Sequence, residues 1–206
     1  MIELKIKKIF PTIIGEVTNF LPTNEHKKIV ESCYKVQKTE KNSKTTTWLS
    51  GEHSPYSTFE TFNLVKSPMF QPLIESSTKI VNSFAGEYGD FGNFFCHQGW
   101  VNIYKKGSYQ EPHSHININY SAVYFPKAPQ GSGSIVFQNP SIYEVGGDST
   151  NNSFPTWVIN PVDNMLLVFK SNLRHYVLQG TNKEDRISIA MNFVLSPESY
   201  NNKYKI

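Results

Sequence analysis

The sequence predicts a mainly β fold, an antiparallel sandwich or barrel, with a few α-helices confined to its first half. Three observations predict it. Phe, Trp and Tyr make up 14% of the 206 residues, a share that suits strands carrying large inward side chains. From residue 94 onward the apolar pattern repeats every second residue in short β-branched or aromatic runs. Each run is bounded by Gly, Pro, Asn or Asp, and several strands at this spacing point to antiparallel pairing. At 23.5 kDa the length fits one domain, 1–206, in which an N-terminal strand and helices (1–93) pack on a β core (94–197).

The elements follow in chain order. "TNEHKKIVESCYKVQ" sets Ile29, Val30, Cys33 and Val36 at helical spacing, with Thr23 as the expected N-cap. A polar stretch from Lys38 to Ser57 follows, and its Trp48 and Leu49 allow a piece of strand there. A second helix is expected near Ser67–Pro68, where proline suits the first turn. Ile74, Val81 and Phe84 form its apolar stripe, and the run from Gly86 to Gly92 ends it. The expected strands are "WVNIY" (100–104), "SAVYF" (121–125), "SIVF" (134–137), "MLLVF" (165–169) and "RISIAMNFVL" (186–195).

Alternation in two of these strands is informative. Arg186, Ser188, Ala190 and Asn192 share one face of the last, opposite Ile187, Ile189, Met191 and Phe193. In the first, Trp100, Asn102 and Tyr104 oppose Val101 and Ile103. Either the sheet has one solvated face, or the barrel has a polar interior that holds a ligand. The segment 142–157, rich in Gly, Ser and Asn, is long for a plain connection and reads either as a lid or as an ordinary excursion.

Composition narrows the function. Net charge is +3 and the lysines are scattered, so nucleic acid is not an expected partner. No run reaches about 18 apolar residues, the length a membrane helix needs. The opening "MIELKIKKIFPTIIG" is broken by Pro11 and fails as a signal peptide. Cys33 and Cys96 read as free buried thiols, which fits a cytoplasmic location.

The histidines carry the chemistry. In "YKKGSYQEPHSHININY" His113 and His115 lie one residue apart and share a face if the segment is extended. Two such imidazoles can grip one metal ion, or can be two polar side chains on a wet loop. His175 in "VFKSNLRHYV", just past an apolar strand, is the candidate third ligand. Arg186 follows eleven residues later with Ser188 two further on, a fork and hydroxyl suited to a carboxylate. His97 is expected to pack or cap ahead of the first core strand, and His26 and His53 to be exposed. Trp100 reads as a core or rim aromatic.

Taken in order, Tyr104, Gly107, His113, the strand "SAVYF", "GSGSIVF", His175, Arg186 and Ser188 resemble the iron(II)- and 2-oxoglutarate-dependent oxygenases. Within them the chain looks like an uncharacterised subgroup from bacteria and their viruses, through "IFPTIIG" and "HSHININYSAVYF". The resemblance implies a double-stranded β-helix, or jelly roll, with flanking helices. It also implies Fe(II) held by His113, His115 and His175, and 2-oxoglutarate whose C5-carboxylate meets Arg186, helped by Ser188 and Tyr104. Asn102 and Asn192 would hydrogen-bond co-substrate or substrate from the lumen, or else satisfy backbone groups there. The implied reaction couples oxidative decarboxylation of 2-oxoglutarate to succinate with hydroxylation of a small-molecule or peptide substrate by dioxygen.

One departure concerns the metal. The family usually has H-x-D, whereas His115 stands at the aspartate's position here. A shifted register would instead make His115 the first ligand and Asn117 the one in the carboxylate's place. Spacing from Tyr104 and Gly107 favours His113 as first ligand, and an amide oxygen is a poorer iron ligand than imidazole. A cupin with a three-histidine site and no 2-oxoglutarate is the alternative. It fits "GSYQEPHSH", but Asn119 and Tyr120 stand where its glutamate belongs, and it leaves Arg186 unexplained. A metal-free jelly-roll module would leave the three histidines unrelated.

Overall fold

The structure, a computed structural model, describes residues 12–43, 50–140 and 155–199. Its elements are β1 (Ile14–Val17), α1 (Thr23–Thr39), β2 (Tyr56–Ser57), α2 (Gln71–Glu87), β3 (Phe94–Tyr104), β4 (Gln110–His113) and β5 (Tyr120–Lys127). They continue with β6 (Ile135–Gln138), β7 (Thr156–Ile159), β8 (Met165–Lys170), β9 (His175–Val177) and β10 (Arg186–Leu195). Two antiparallel sheets face each other: a major sheet ordered β1-β8-β5-β10-β3-β2 and a minor sheet ordered β4-β9-β6-β7. This is the mainly β jelly roll that the sequence predicts.

Helices explain why the longest strands are buried on both faces. Ile29, Cys33 and Val36 of α1, with Leu73, Ile74, Val81, Phe84 and Ala85 of α2, form one apolar cluster with the outer row of the major sheet. That row includes Val101, Ile103, Ile187, Ile189, Met191 and Phe193. The inner rows look toward the minor sheet, where Phe125, Phe137, Leu167, Phe169 and Leu173 make a second cluster. All residues from Arg186 to Phe193 are therefore buried, and the one-solvated-face alternative is excluded. The polar row faces the interior.

Strand pairing lines that row up. Across β10 and β3, Arg186 pairs with Tyr104, Ser188 with Asn102, Ala190 with Trp100 and Asn192 with Gln98. The turn leaving β3 depends on Gly107, whose φ of +84° is a left-handed conformation that a side chain disfavours. Its N–H donates to the Gly180 carbonyl at 2.8 Å, tying the turn beneath β4 to the segment before β10.

Several expectations need correction. Thr23 opens α1 but does not cap it; Pro22 occupies the cap position, with no side-chain bond. A short 3₁₀ turn, Pro68–Phe70, precedes α2. His97 lies inside β3 and is exposed, at the bulge where the pairing with β10 skips from Gln98 to Cys96. His26 is half-buried, since its Nδ1 lies 2.7 Å from the Tyr124 hydroxyl. His53 is exposed, and Cys33 and Cys96 are free and buried as expected. Thr156 and Trp157 open β7; the rest of the supposed lid, apart from Pro155, and Trp48 and Leu49, lie outside the described residues. No helix among the described residues is long and apolar enough to cross a membrane.

Candidate metal and co-substrate site

Strand register brings the histidines together. His113 ends β4 and His175 opens β9, and the two are paired across the minor sheet. Their ring centroids stand 4.4 Å apart. His115 lies just beyond β4, where its N–H donates to the Ser171 carbonyl at 2.9 Å and draws the segment toward the end of β8. Its ring stacks on His113 at 5.4 Å and sits 5.3 Å from His175. One ring nitrogen from each histidine lies within 4.8 Å of the others, so one small cation can reach all three.

The hydrogen bonds decide which nitrogens these are. His113 Nδ1 donates to the Glu111 carbonyl and His175 Nδ1 to the Leu173 carbonyl, each at 2.8 Å. A carbonyl only accepts, so both rings carry their proton on Nδ1 and their lone pair on Nε2. His115 Nδ1 has Asn192 Oδ1 at 2.6 Å. The Ser121 hydroxyl lies 3.0 Å from the same nitrogen, 3.2 Å from Asn192 Oδ1 and 2.8 Å from Ser171 Oγ. With the amide oxygen accepting, His115 takes the same tautomer. All three imidazoles present Nε2.

Burial keeps them neutral. It pulls His113 down to about 4 and His175 down to about 3, opposed in each case by the carbonyl that accepts from Nδ1. His115 is lowered by burial too, with the bond to Asn192 working against the shift. Neutral imidazole is the form that binds a metal. Phe169 and Phe137 close one side of His175, at 4.8 and 5.9 Å.

Arg186 lies in the same space between the sheets, 1% exposed. Its guanidinium carbon sits 4.3 Å above the Tyr104 ring and 5.2 Å from that of Phe125. Nη1 makes one long bond, 3.4 Å, to the Ser188 hydroxyl. Nε has no hydrogen-bond partner, and the only ion pairs among the described residues are Lys105–Asp185 and Lys127–Glu184. A buried guanidinium whose fork lacks an anion is suited to one end of a dicarboxylate.

A pocket of about 450 Å³ opens over His113 and His115, lined also by Trp100, Asn102, Gln110 and Asn192. Arg186 and His175 are not part of its wall; they lie deeper. Gln110 links the two regions, because its Oε1 accepts from the Tyr104 hydroxyl at 2.9 Å.

The structure thus brings His113, His115 and His175 to one point and Tyr104, Ser188 and Arg186 to another. Asn102 lies on the pocket wall with 4% exposure. Asn192 also lines the pocket, but its oxygen is engaged by His115, so it orients a histidine. Asn117 is exposed, at φ 62° in the turn after His115. Ser121, Ser171 and Gln110 were not singled out in the sequence. Ser121 had a signal, since it opens a strand and pairs with Asn192 on the inner row.

Comparison with known proteins agrees with this geometry. Residues 98–192 match a family described as "Putative 2OG-Fe(II) oxygenase". No curated relative matches the sequence itself. Among solved structures, a Pseudomonas putida prolyl-4-hydroxylase is 15% identical with a TM-score of 0.63, covering 90% of this chain and 94% of its own. A Trichoplax adhaerens prolyl hydroxylase, solved with a hypoxia inducible factor peptide fragment, is 15% identical with a TM-score of 0.62, covering 91% and 86%. The epimerase SnoN, solved with Fe3+, alpha ketoglutarate and nogalamycin RO, is 12% identical with a TM-score of 0.67, covering 89% and 79%. Residues 98–192, most of the jelly-roll core, thus resemble the 2OG-Fe(II) oxygenase family.

Proposed function

We propose that the protein is an iron(II)- and 2-oxoglutarate-dependent dioxygenase that hydroxylates a small-molecule or peptide substrate. The observation that carries this reading is the buried, anion-less guanidinium of Arg186 in the same intersheet space as three neutral, convergent imidazoles. In this reading His113, His115 and His175 hold the iron through Nε2. Iron(II) and 2-oxoglutarate supply the oxidising chemistry, with succinate and carbon dioxide as co-products and a substrate C–H as the group oxidised.

The chain's own residues bind and orient. Arg186, backed by the Tyr104 ring and the Ser188 hydroxyl, takes the C5-carboxylate of the co-substrate. The main-chain acceptors at Glu111 and Leu173 fix the tautomers of His113 and His175, and Asn192 fixes that of His115. Asn102 offers its amide to whatever stands between the histidines and Arg186. Three neutral ligands leave the metal about one positive charge richer than two histidines and a carboxylate do, which favours an anionic co-substrate.

The cupin reading shares the three histidines but gives Arg186 no anion. Anaerobic titration separates the two. Iron(II) followed by 2-oxoglutarate should produce the weak visible absorption of the chelate, and Arg186→Ala and His175→Ala should each remove it. Metal binding without that absorption would favour the cupin, and no metal binding would favour a structural module.

A further inference from the structure

The pocket above the histidines has a chemical character of its own. Apart from His113 and His115, its described lining carries no ionisable side chain. Phe59, 42% exposed, stands edge-on to Trp100 with centroids 4.9 Å apart. The Trp100 ring in turn lies 6.0 Å from His115. Ile116, 82% exposed, and Ile118 add aliphatic surface. The polar remainder is neutral: the amides of Gln98, Asn102, Gln110 and Asn192 and several serine hydroxyls. The buried cation, Arg186, is outside this lining.

With the metal's charge balanced by the co-substrate diacid, a carboxylate or ammonium entering such a pocket loses water and gains no ionic partner among the lining side chains. A neutral group with a flat or branched apolar face gains the aromatic surface and can satisfy its amides or hydroxyls on the lining. We propose that the prime substrate enters as an electrically neutral moiety with a ring or branched apolar face flanked by amide or hydroxyl groups, and that Phe59 and Trp100 form the shelf that selects it. This rests on the oxygenase reading only in making the pocket's occupant the substrate.

Three probes test it: N-acetyl-phenylalanine amide, its anionic analogue N-acetyl-phenylalanine and its cationic analogue phenylalanine amide. Binding is followed by saturation-transfer NMR and tryptophan quenching, on the protein as purified and on the protein given nickel(II) and 2-oxoglutarate. The neutral probe should bind at least about tenfold more tightly than either charged one in both states. Phe59→Ala should weaken it by about tenfold, and Phe59→Tyr should restore it. Phe59 is partly exposed, so its loss leaves the core packed. Equal or tighter binding of a charged probe, insensitivity to Phe59→Ala, or no binding of any probe would overturn the proposal. Neutral preference in a protein that never forms the iron chelate would sink the oxygenase reading and leave the ligand class standing.

Discussion

Replacing Arg186 by Met should stabilise the metal-free protein while abolishing its response to 2-oxoglutarate. The side chain is 1% exposed, its Nε is unpartnered and its one side-chain hydrogen bond spans 3.4 Å. Burial is also the main influence on its ionisation, pulling it below the ordinary arginine value. Exchanging such a buried ionic group for an apolar one of similar volume is worth about 1–4 kcal/mol of added stability. Loss of stacking on Tyr104 and Phe125 takes back about 1–2 kcal/mol. Contact of the Met sulfur with the same rings returns part of that, on the order of 0.5 kcal/mol. The midpoints of these contributions sum to a gain of about 1.5 kcal/mol in the metal-free protein. With nickel(II) present and 2-oxoglutarate at about a hundred times its dissociation constant, wild type should gain about 2.7 kcal/mol and the variant nothing from the diacid. Urea unfolding midpoints in the two conditions should therefore change order. A metal-free variant destabilised by more than about 2 kcal/mol, or one that still responds to 2-oxoglutarate, would show that Arg186 is a structural cation with a partner of its own.

Other expectations concern the histidines. Asn192→Leu removes the acceptor at His115 Nδ1 and should weaken cobalt(II) binding by about 10–100-fold, read by the visible absorption of the bound ion; unchanged affinity would mean that Ser121 alone holds the ring. His115→Asp should retain iron, and Asn117→Ala should leave iron binding untouched because Asn117 is exposed in a turn; loss of iron in both would support the shifted register. Acidification should destabilise the metal-free protein, because His113 and His175 are held at about 4 and about 3 in the fold but titrate near 6.5 once unfolded. The unfolded chain takes up protons first, so stability present above pH 6.5 falls by about 1.4 kcal/mol per pH unit per ring as the pH drops toward those folded values. Denaturation midpoints at pH 7 and pH 5 check this, and a His175→Leu variant with the same pH dependence as wild type would contradict it.

Much of this was legible because strand period is a local property. Alternation along "RISIAMNFVL" and "WVNIY" placed Arg186, Ser188, Asn192, Asn102 and Tyr104 on one face, and the register confirms it. What alternation could not decide was whether the opposite face met water or helices. That depended on where α1 and α2 dock, a tertiary fact without a signature inside the strand. The short strands β4, β7 and β9, at most four residues each, gave no period to read. Yet β4 and β9 carry His113 and His175 into register. The sequence suggested the trio through spacing and resemblance, while the lock on each tautomer came only from contacts remote in the chain. Asn192 to His115 spans 77 residues and Ser121 to Ser171 spans 50. The sequence offers Asn192 as a partner of co-substrate or substrate, or of backbone groups in the lumen, and gives no sign that its oxygen meets a histidine. The Thr23 cap failed for a simpler reason: Pro22 already fixes the backbone entering the helix, and Thr23 takes helical geometry.

The central claim is that Nε2 of His113, His115 and His175 meets one iron ion, with Arg186 clasping the far carboxylate of its diacid. Diffraction at the iron absorption edge, on crystals grown anaerobically with iron(II) and 2-oxoglutarate, tests it most directly. The account predicts one anomalous peak about 2.1 Å from the three Nε2 atoms, with dicarboxylate density running from it to the Arg186 guanidinium. Iron bound elsewhere, or a diacid that leaves Arg186 untouched, would contradict it.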